Sequence, residues 1–453
     1  SQSLMAVTTG ANNTGVGGSA LTANTTGALN TAVGSEALLA NTSGGQNVAI
    51  GYEALQANTT ADGNVALGTR TLQANTTGAS NTAVGHQTLY ANTTASNNTA
   101  VGMNALVANT TGTQNTAVGT SALDANTTAS YGTAVGYGAL GANTTASENV
   151  AVGTDALTTN TTGNRNTSVG AYSLNANTTA ANNTAVGYLA LYANTTADNN
   201  TAVGKDALTA NTTGSGNTAM GHLALAANTT GNSNVAIGRY ALDANTTAAE
   251  NVAIGYYALS ANTTGAYNTA IGKSALAANT DTDSKTAVGY AALTANTSGV
   301  YNTAVGVNSL ASNTTASYNT GIGHKAGYAI TTGVDHVAIG HETLDACTTG
   351  SQNTAIGKAA LGELTTASDC TAVGKGTLFN VTTGSNNTAI GHNSGASCTT
   401  GTNNIFLGHD AGISGSPGGA ITTGSNTIVL GDENIGALYC TQTSISSSDK
   451  RDK

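Results

Sequence analysis

The stretch that decides the fold is GSEALLANTSGGQNVAIG, residues 34–51, which begins and ends on glycine. Glycine recurs at every multiple of 17 along the chain, 24 times from Gly17 to Gly408. Self-similarity at a short fixed period is typical of a solenoid, in which each repeat forms one coil. We number each coil from its glycine, so that Gly34 is position 0 and Ile50 is position +16.

The composition favours an ordered repeat over a flexible linker. Only 8% of the 453 residues are charged, and the chain has one proline and no tryptophan. A disordered chain of low hydrophobicity normally carries charge or proline instead. The net charge of −10 with no basic patch argues against nucleic-acid binding. No apolar stretch is long enough to cross a bilayer, so we expect no membrane insertion.

Two short segments of each coil alternate with period two, one around +2 to +6 and the other around +13 to +16. Such alternation predicts strands, and the Asn-Thr-Thr segments between them have turn chemistry. The sequence therefore predicts an all-β fold, a parallel β-solenoid or β-roll with 17-residue coils. Leu at +4 and Val or Ile at +16 are expected to point into the coil.

The predicted apolar core is small. Ordering each residue costs roughly 1.5 kcal/mol, which one Leu and one Val per coil do not offset. Position +15 keeps a small residue, as in Ala32 and Ala49, while its exposed neighbours vary freely. We expect this alanine face to be buried against another chain, so that the solenoid is an elongated oligomer. The alternative is that alanine simply suits a tight strand.

Position +7 divides the chain. It is Asn in eighteen coils from Asn24 to Asn313 and is apolar from Ile330 onward. We expect an inward corner with a hydrogen-bonded Asn ladder, replaced later by apolar filling. The predicted segments are a shaft over 1–322, a continuation with apolar corners over 323–408, an irregular last coil with a Gly/Pro loop over 409–440, and a linker with a further segment over 441–453. The predicted structural residues are Gly17, Gly34, Gly51, Gly68, Asn24, Asn41, Ala32 and Ala49.

Other residue types give weaker signals. Three of the four cysteines lie at positions that are normally Asn, and we expect them to be buried thiols. Six of the seven histidines lie at +1, where two adjacent pairs are candidates for a metal clip, although solvated surface residues are the preferred interpretation. The sixteen tyrosines lie at variable positions or outside the repeat and are concentrated in the middle of the chain. Dispersed surface aromatics are the preferred interpretation, and stacking on sugars is the alternative. We predict no metal site, no cofactor and no catalytic group in the repeat itself.

The repeat core, Asn-Val-Ala-Ile-Gly or Asn-Thr-Ala-Val-Gly, resembles the head repeats of trimeric autotransporter adhesins. That resemblance implies a parallel β-roll trimer. The adhesin repeats are usually shorter than the coil of this chain, so the likeness covers the motif and not the whole coil.

The last six residues, Ser448-Asp449-Lys450-Arg451-Asp452-Lys453, resemble the start of the intramolecular chaperone domain (peptidase S74) that ends many phage tail fibres. The family pattern implies that Ser448 is a nucleophile and Lys453 its base. Cleavage would follow Ser447 in a single turnover after trimerisation. The rest of that domain is absent from the sequence, and we expect the chain to be part of a longer one.

Together these features predict a homotrimeric tail-fibre shaft of a bacteriophage virion. Its expected partners are copies of itself, other tail or fibre proteins, and a host-surface glycan or protein receptor. The alternative is a trimeric adhesin on a bacterial surface. An ice-binding solenoid is a third class, but the adjacent Thr residues at +8 and +9 would face opposite ways.

Overall fold

The structure is a computed structural model that describes residues 3–416 and 418–437. It is an all-β parallel solenoid with 17-residue coils, as predicted, and the described residues form 25 strands of three residues each. The chain divides into two compact units, Ser1–Asp283 and Ser284–Lys453. Within the described residues, no helix is long and apolar enough to cross a membrane.

The first unit contains one strand per coil, at positions +14 to +16. Neighbouring strands pair in parallel and are offset by one whole coil, as in Thr31↔Val48. Its strands are β1 Thr14–Val16, β2 Thr31–Val33, β3 Val48–Ile50, β4 Val65–Leu67, β5 Thr82–Val84, β6 Thr99–Val101, β7 Thr116–Val118, β8 Thr133–Val135, β9 Val150–Val152, β10 Thr167–Val169, β11 Thr184–Val186, β12 Thr201–Val203, β13 Thr218–Met220, β14 Val235–Ile237, β15 Val252–Ile254 and β16 Thr269–Ile271.

The second unit continues the pattern with a longer step at its end. Ile405 pairs with Ile428, which is farther along the chain than one regular coil, because residues 409–430 include an insertion. Its strands are β17 Thr286–Val288, β18 Thr303–Val305, β19 Thr320–Ile322, β20 Val337–Ile339, β21 Thr354–Ile356, β22 Thr371–Val373, β23 Thr388–Ile390, β24 Ile405–Leu407 and β25 Ile428–Leu430. The four segments predicted from the side-chain pattern stay a prediction, and 441–453 lies outside the described residues.

The glycine at position 0 is required by the backbone. Gly17 and Gly34 have φ values of +132° and +138°, a region that side chains with a Cβ rarely adopt. A Cβ built on Gly17 would also lie 2.5 Å from the carbonyl oxygen of Gly34 in the next coil. The fixed spacing of glycines therefore marks a corner where any side chain would collide with the backbone of the next coil.

The prediction of a second strand at +2 to +6 is wrong. Glu36 and Leu38, at +2 and +4, have φ values of 62° and 51°, so the backbone turns there. Ala37 and Leu38 are neighbours and both are fully buried, whereas side chains alternate between faces in a strand. The segment still bonds to the next coil, with Leu38 N donating to Ala54 O over 3.0 Å.

The assignment of the two strand faces is also wrong. Ala32 and Ala49, at +15, are fully buried within the single chain, and not on an outward face that awaits a partner. Val16 and Ile50, at +16, are 57% and 41% exposed and point outward. Leu at +4 points inward as predicted, as shown by Leu38, and leaves room opposite it only for a small side chain.

One exchange of residues confirms that +15 and +4 share the same interior space. Phe406 occupies +15 and is fully buried, and the +4 positions on either side of it are Gly395 and Gly412. A Cβ at Gly395 would lie 2.7 Å from the Phe406 ring. The phenyl group therefore fills the volume that two leucines fill elsewhere.

Candidate functional site

Two ladders of buried asparagines run through the interior. At +7, Asn41 Nδ2 donates to Asn24 Oδ1 over 2.8 Å and to Gly44 O, at +10 of its own coil, over 2.9 Å. At +13, Asn47 N donates to Asn30 Oδ1 over 3.0 Å, and Asn30 Nδ2 donates to Gly44 O over 2.8 Å. These side chains are fully buried, so the predicted inward corner with an Asn ladder is confirmed.

Within the second unit, apolar residues replace Asn at the +7 corner from Ile330 to Cys398. These five side chains are all fully buried: Ile330, Cys347, Leu364, Val381 and Cys398. Gly327 has no side chain at its +4 position, and a Cβ there would lie 2.8 Å from Ile330 Cδ1. The isoleucine therefore fills the space left by the missing leucine.

The three described cysteines are buried and form no disulfide among themselves, in agreement with the prediction. Burial raises the pKa of the Cys347 thiol to about 12 and that of Cys370 to about 11. Thiols of such high pKa carry little thiolate, which is the reactive form. These cysteines are small buried side chains whose thiols donate to carbonyl oxygens at +10, as Cys370 Sγ does to Gly384 O over 3.4 Å. Cys440 lies outside the described residues.

His336 replaces Asn at +13 and reproduces its hydrogen bonds. The ring Nε2 lies 2.7 Å from Gly350 O, and Asn353 N donates to Nδ1 over 3.3 Å. Nδ1 must therefore be unprotonated, since it accepts, while Nε2 carries the hydrogen. Burial lowers the pKa of His336, which keeps the ring neutral in the folded state.

The outward face of the strands is uncharged along its length. In all 25 described strands, +14 is Thr, Val or Ile, and +16 is Val, Ile, Leu or Met. Among the other outward positions of the coil, +8 is almost always Thr. Each of the remaining outward positions carries a charged residue in at least one coil. We call the +14 and +16 side chains the strand face.

Residues at +1 and +2 form columns in which side chains of successive coils stack on one another. Within the first unit, Tyr240 and Tyr257 stack with ring centroids 5.0 Å apart and an interplanar angle of 6°. Tyr256 lies edge-on to Tyr257 at 4.3 Å, and Arg239 lies 4.8 Å from the Tyr240 ring centroid. The tyrosine cluster comprises His222, Arg239, Tyr240, Tyr256, Tyr257 and Lys273.

Reasoning from the sequence did not identify this cluster as one site. The signal was present, because counting places these tyrosines at +1 and +2 of consecutive coils. A rigid stacked pair of phenol rings flanked by cations offers both a flat apolar face and hydrogen-bonding groups. Sugars and other polar ligands with apolar faces suit such a surface.

The histidine pairs at +1 are brought together as the spacing suggested. His324 and His341 stack at 5.1 Å between ring centroids, and His392 and His409 stack at 5.2 Å. A carboxylate lies beside each pair, Glu342 and Asp410 respectively. The predicted self-cleavage residues Ser448 and Lys453 lie outside the described residues, so their roles stay predictions.

No family model matches the chain, and no curated protein matches it significantly.

His336 makes the stability of the second unit pH-dependent. The unfolded chain binds a proton with a pKa of about 6.5, whereas the folded chain binds it only at lower pH. Stability is therefore complete above pH 6.5 and falls as the pH drops, by up to about 1.4 kcal/mol per pH unit. Unfolding monitored by circular dichroism between pH 7.5 and 4.5 should show a weaker pH dependence for His336→Asn than for the native chain. Equal pH dependence in the two proteins would contradict this role.

Proposed function

We propose that the chain is the shaft of a homotrimeric bacteriophage tail fibre, which contributes to attachment at the host surface. The observation that carries the proposal is the strand face. Within each unit this uncharged surface leaves apolar side chains partly exposed, such as Ile50 in the first and Ile390 in the second, which is typical of a surface that another chain covers. The resemblance of the repeat core to β-roll trimers, and of residues 448–453 to a trimerising chaperone, supports the same assembly.

The extent of the strand face is sufficient for stable association. In the first unit, sixteen strands present two outward residues each, 32 side chains in all. A standard interface uses about 20 to 30 residues per partner. A copy of the same chain is the partner that fits best, because its outward rows repeat at the same spacing of about 4.8 Å. We therefore place the interface at +14 and +16, and not at +15, where it was expected from the sequence.

Attachment is assigned to the tyrosine cluster. It is the densest group of stacked aromatic and cationic side chains among the described residues of the first unit, and five of its ring contacts lie within 6 Å. Tyr256 and Tyr257 are 39% and 37% exposed, so a ligand can reach them. The expected ligand is a glycan of the host surface, and the virion is the expected location.

A trimeric adhesin on a bacterial surface is the second candidate, and the Asn-Val-Ala-Ile-Gly core favours it. It shares the strand-face trimer with the first proposal. The coding sequence downstream of Lys453 distinguishes the two, because a chaperone domain there supports the fibre and a membrane anchor supports the adhesin. For ice binding, Thr42 Oγ1 at +8 already donates to Thr59 O of the next coil over 3.1 Å, which weakens a water-ordering role for that column.

The trimer is tested by light scattering of the purified native chain. We expect a mass of three times 44.1 kDa. Val118→Lys with Val135→Lys places two cations on the strand face and should dissociate the trimer, because burying unpaired charge is costly. The matched control is Thr120→Lys with Tyr137→Lys, at +1, where lysine occurs naturally and no change is expected.

Circular dichroism shows whether the variants keep the fold. A native mass of one chain would refute the trimer. Equal masses for the native, strand-face and control proteins would refute the assignment of the interface.

The attachment surface is tested on an array of bacterial surface glycans. We expect the native protein to bind at least one glycan, and Tyr240→Ser with Tyr257→Ser to weaken that binding at least tenfold, since each stacked ring contributes about 1 kcal/mol or more. Tyr301→Ser with Tyr318→Ser is the control, because it removes a stacked pair with a centroid distance of 5.3 Å at another position of the coil. Equal binding by both double variants would overturn the assignment.

A further inference from the structure

We propose that His392, His409, Asp410 and Asp432 form a binding site for a divalent transition-metal ion of the Zn²⁺ class. The site joins the last three described coils of the second unit. It is independent of the tail-fibre proposal, because a metal site of this kind would brace the solenoid whatever its biological role.

The repeat places these ligands in register. His392, His409 and Asp432 occupy +1 of three successive coils, which begin at Gly391, Gly408 and Gly431. Asp410 follows at +2, and its backbone N–H donates to His392 O over 3.0 Å. Because one column of the solenoid repeats at the spacing between coils, residues far apart in sequence become neighbours.

Three of these residues, His392, His409 and Asp410, each offer a ligand atom, and these atoms lie within 4.8 Å of one another. His409 Nδ1 lies 3.3 Å from Asp410 Oδ2 and 3.6 Å from Asp432 Oδ2. His392 Nδ1 lies 3.9 Å from Asp410 Oδ1. Zinc bonds of roughly 2.0–2.2 Å to nitrogen and oxygen place tetrahedral ligand atoms about 3.4 Å apart. Binding therefore requires the side chains of His392, His409 and Asp410 to move closer by up to roughly 1.5 Å, and the carboxylate of Asp432, which lies beside His409, to turn toward them.

Two further observations indicate that these carboxylates can bind a cation. Asp410 Oδ1 is buried and has no hydrogen-bond partner. Such an oxygen is costly to bury, and a bound cation would supply the missing interaction. Asn434 donates to both oxygens of Asp432, from its backbone N over 2.9 Å and from Nδ2 over 3.0 Å. Hydrogen bonds of this kind orient carboxylates around metal ions.

The donor set determines the class of metal. Two imidazoles and two carboxylates suit zinc, nickel, cobalt or copper, whereas magnesium and calcium prefer sites made of oxygen alone. Four protein ligands close the coordination shell, which is typical of a structural site and not of a catalytic one.

The position of the site explains its use. The chain advances by one regular coil from Gly391 to Gly408, but the step from Gly408 to Gly431 is longer. Parallel pairing already joins β24 to β25 across this longer step. A metal bound across these three coils would add a second link between them at +1 and +2.

The second histidine pair provides a comparison within the chain. His324, His341 and Glu342 form a similar group, with His341 Nδ1 3.4 Å from Glu342 Oε2. In the next coil, however, +1 is Lys358, a cation in the place that Asp432 occupies in the proposed site. We expect this first group to bind metal much more weakly.

Isothermal titration of the tag-free full chain with ZnCl₂, after removal of metal with a chelator, tests the proposal. We expect one site of micromolar or tighter affinity per chain, and a rise in the thermal midpoint on adding zinc. His409→Ala and Asp432→Asn should each weaken binding at least tenfold. His341→Ala should leave this site unchanged. Circular dichroism without metal shows that each variant is folded.

Several results would overturn the site. One is the absence of binding at a zinc concentration 100 times the expected micromolar dissociation constant. Another is equal zinc binding by the native protein and His409→Ala. A third is loss of binding in His341→Ala alone. Equally tight binding of Mg²⁺ would overturn the assigned class of metal.

Discussion

The interaction on which the rest of the structure depends is the hydrogen bond between buried asparagine amides of successive coils. Each coil is too narrow to hold a conventional core, and its interior consists of one Leu, a few small residues and two Asn. A buried amide is costly unless its donors and acceptor are paired. At +7 of the first unit, Asn126 Nδ2 reaches both Asn109 Oδ1 and Ala129 O, so both of its hydrogens are used. The ladder is satisfied when +7 and +13 of successive coils lie in register, which favours the constant period from Gly17 to Gly408.

The same regularity produces the surfaces with candidate functions. Identical positions of successive coils lie side by side, so one column of sequence becomes one continuous surface. The uncharged columns +14 and +16 form the strand face, and +1 and +2 gather tyrosines in one region and histidines in others. Inward positions tolerate few residue types. A residue that differs from the usual one makes the same hydrogen bonds or fills the same volume. His336 reproduces both hydrogen bonds of an asparagine, and Phe406 fills the volume of two leucines.

The period, the parallel solenoid and the buried asparagine corner could be predicted from the sequence, because each depends on spacing alone. The orientation of the strand could not. A three-residue strand gives no more than one alternation, and the larger Val at +16 was placed inside on the basis of size. The sequence does contain evidence that +15 faces inward, because Phe406 at +15 lies between Gly395 and Gly412 at +4. This evidence can be recognised only once +4 and +15 are known to be opposite each other. The prediction of a second strand was wrong because Ala37 and Leu38 are both buried in a turn that contains residues with left-handed backbone conformation. The tyrosine cluster and the fourth ligand Asp432 were missed, since each depends on which columns become neighbours.

The central claim is that the hydrogen bonds of the buried amides hold the coils together. The most direct test is the free energy of unfolding of Asn126→Ala, compared with Thr128→Ala, an exposed residue two positions later. The account predicts a loss of about 2 to 4 kcal/mol for Asn126→Ala, because the amides of Asn109 and Asn143 each lose a partner. Thr128→Ala should change stability by under about 0.5 kcal/mol. Equal, small effects for both variants would contradict the account.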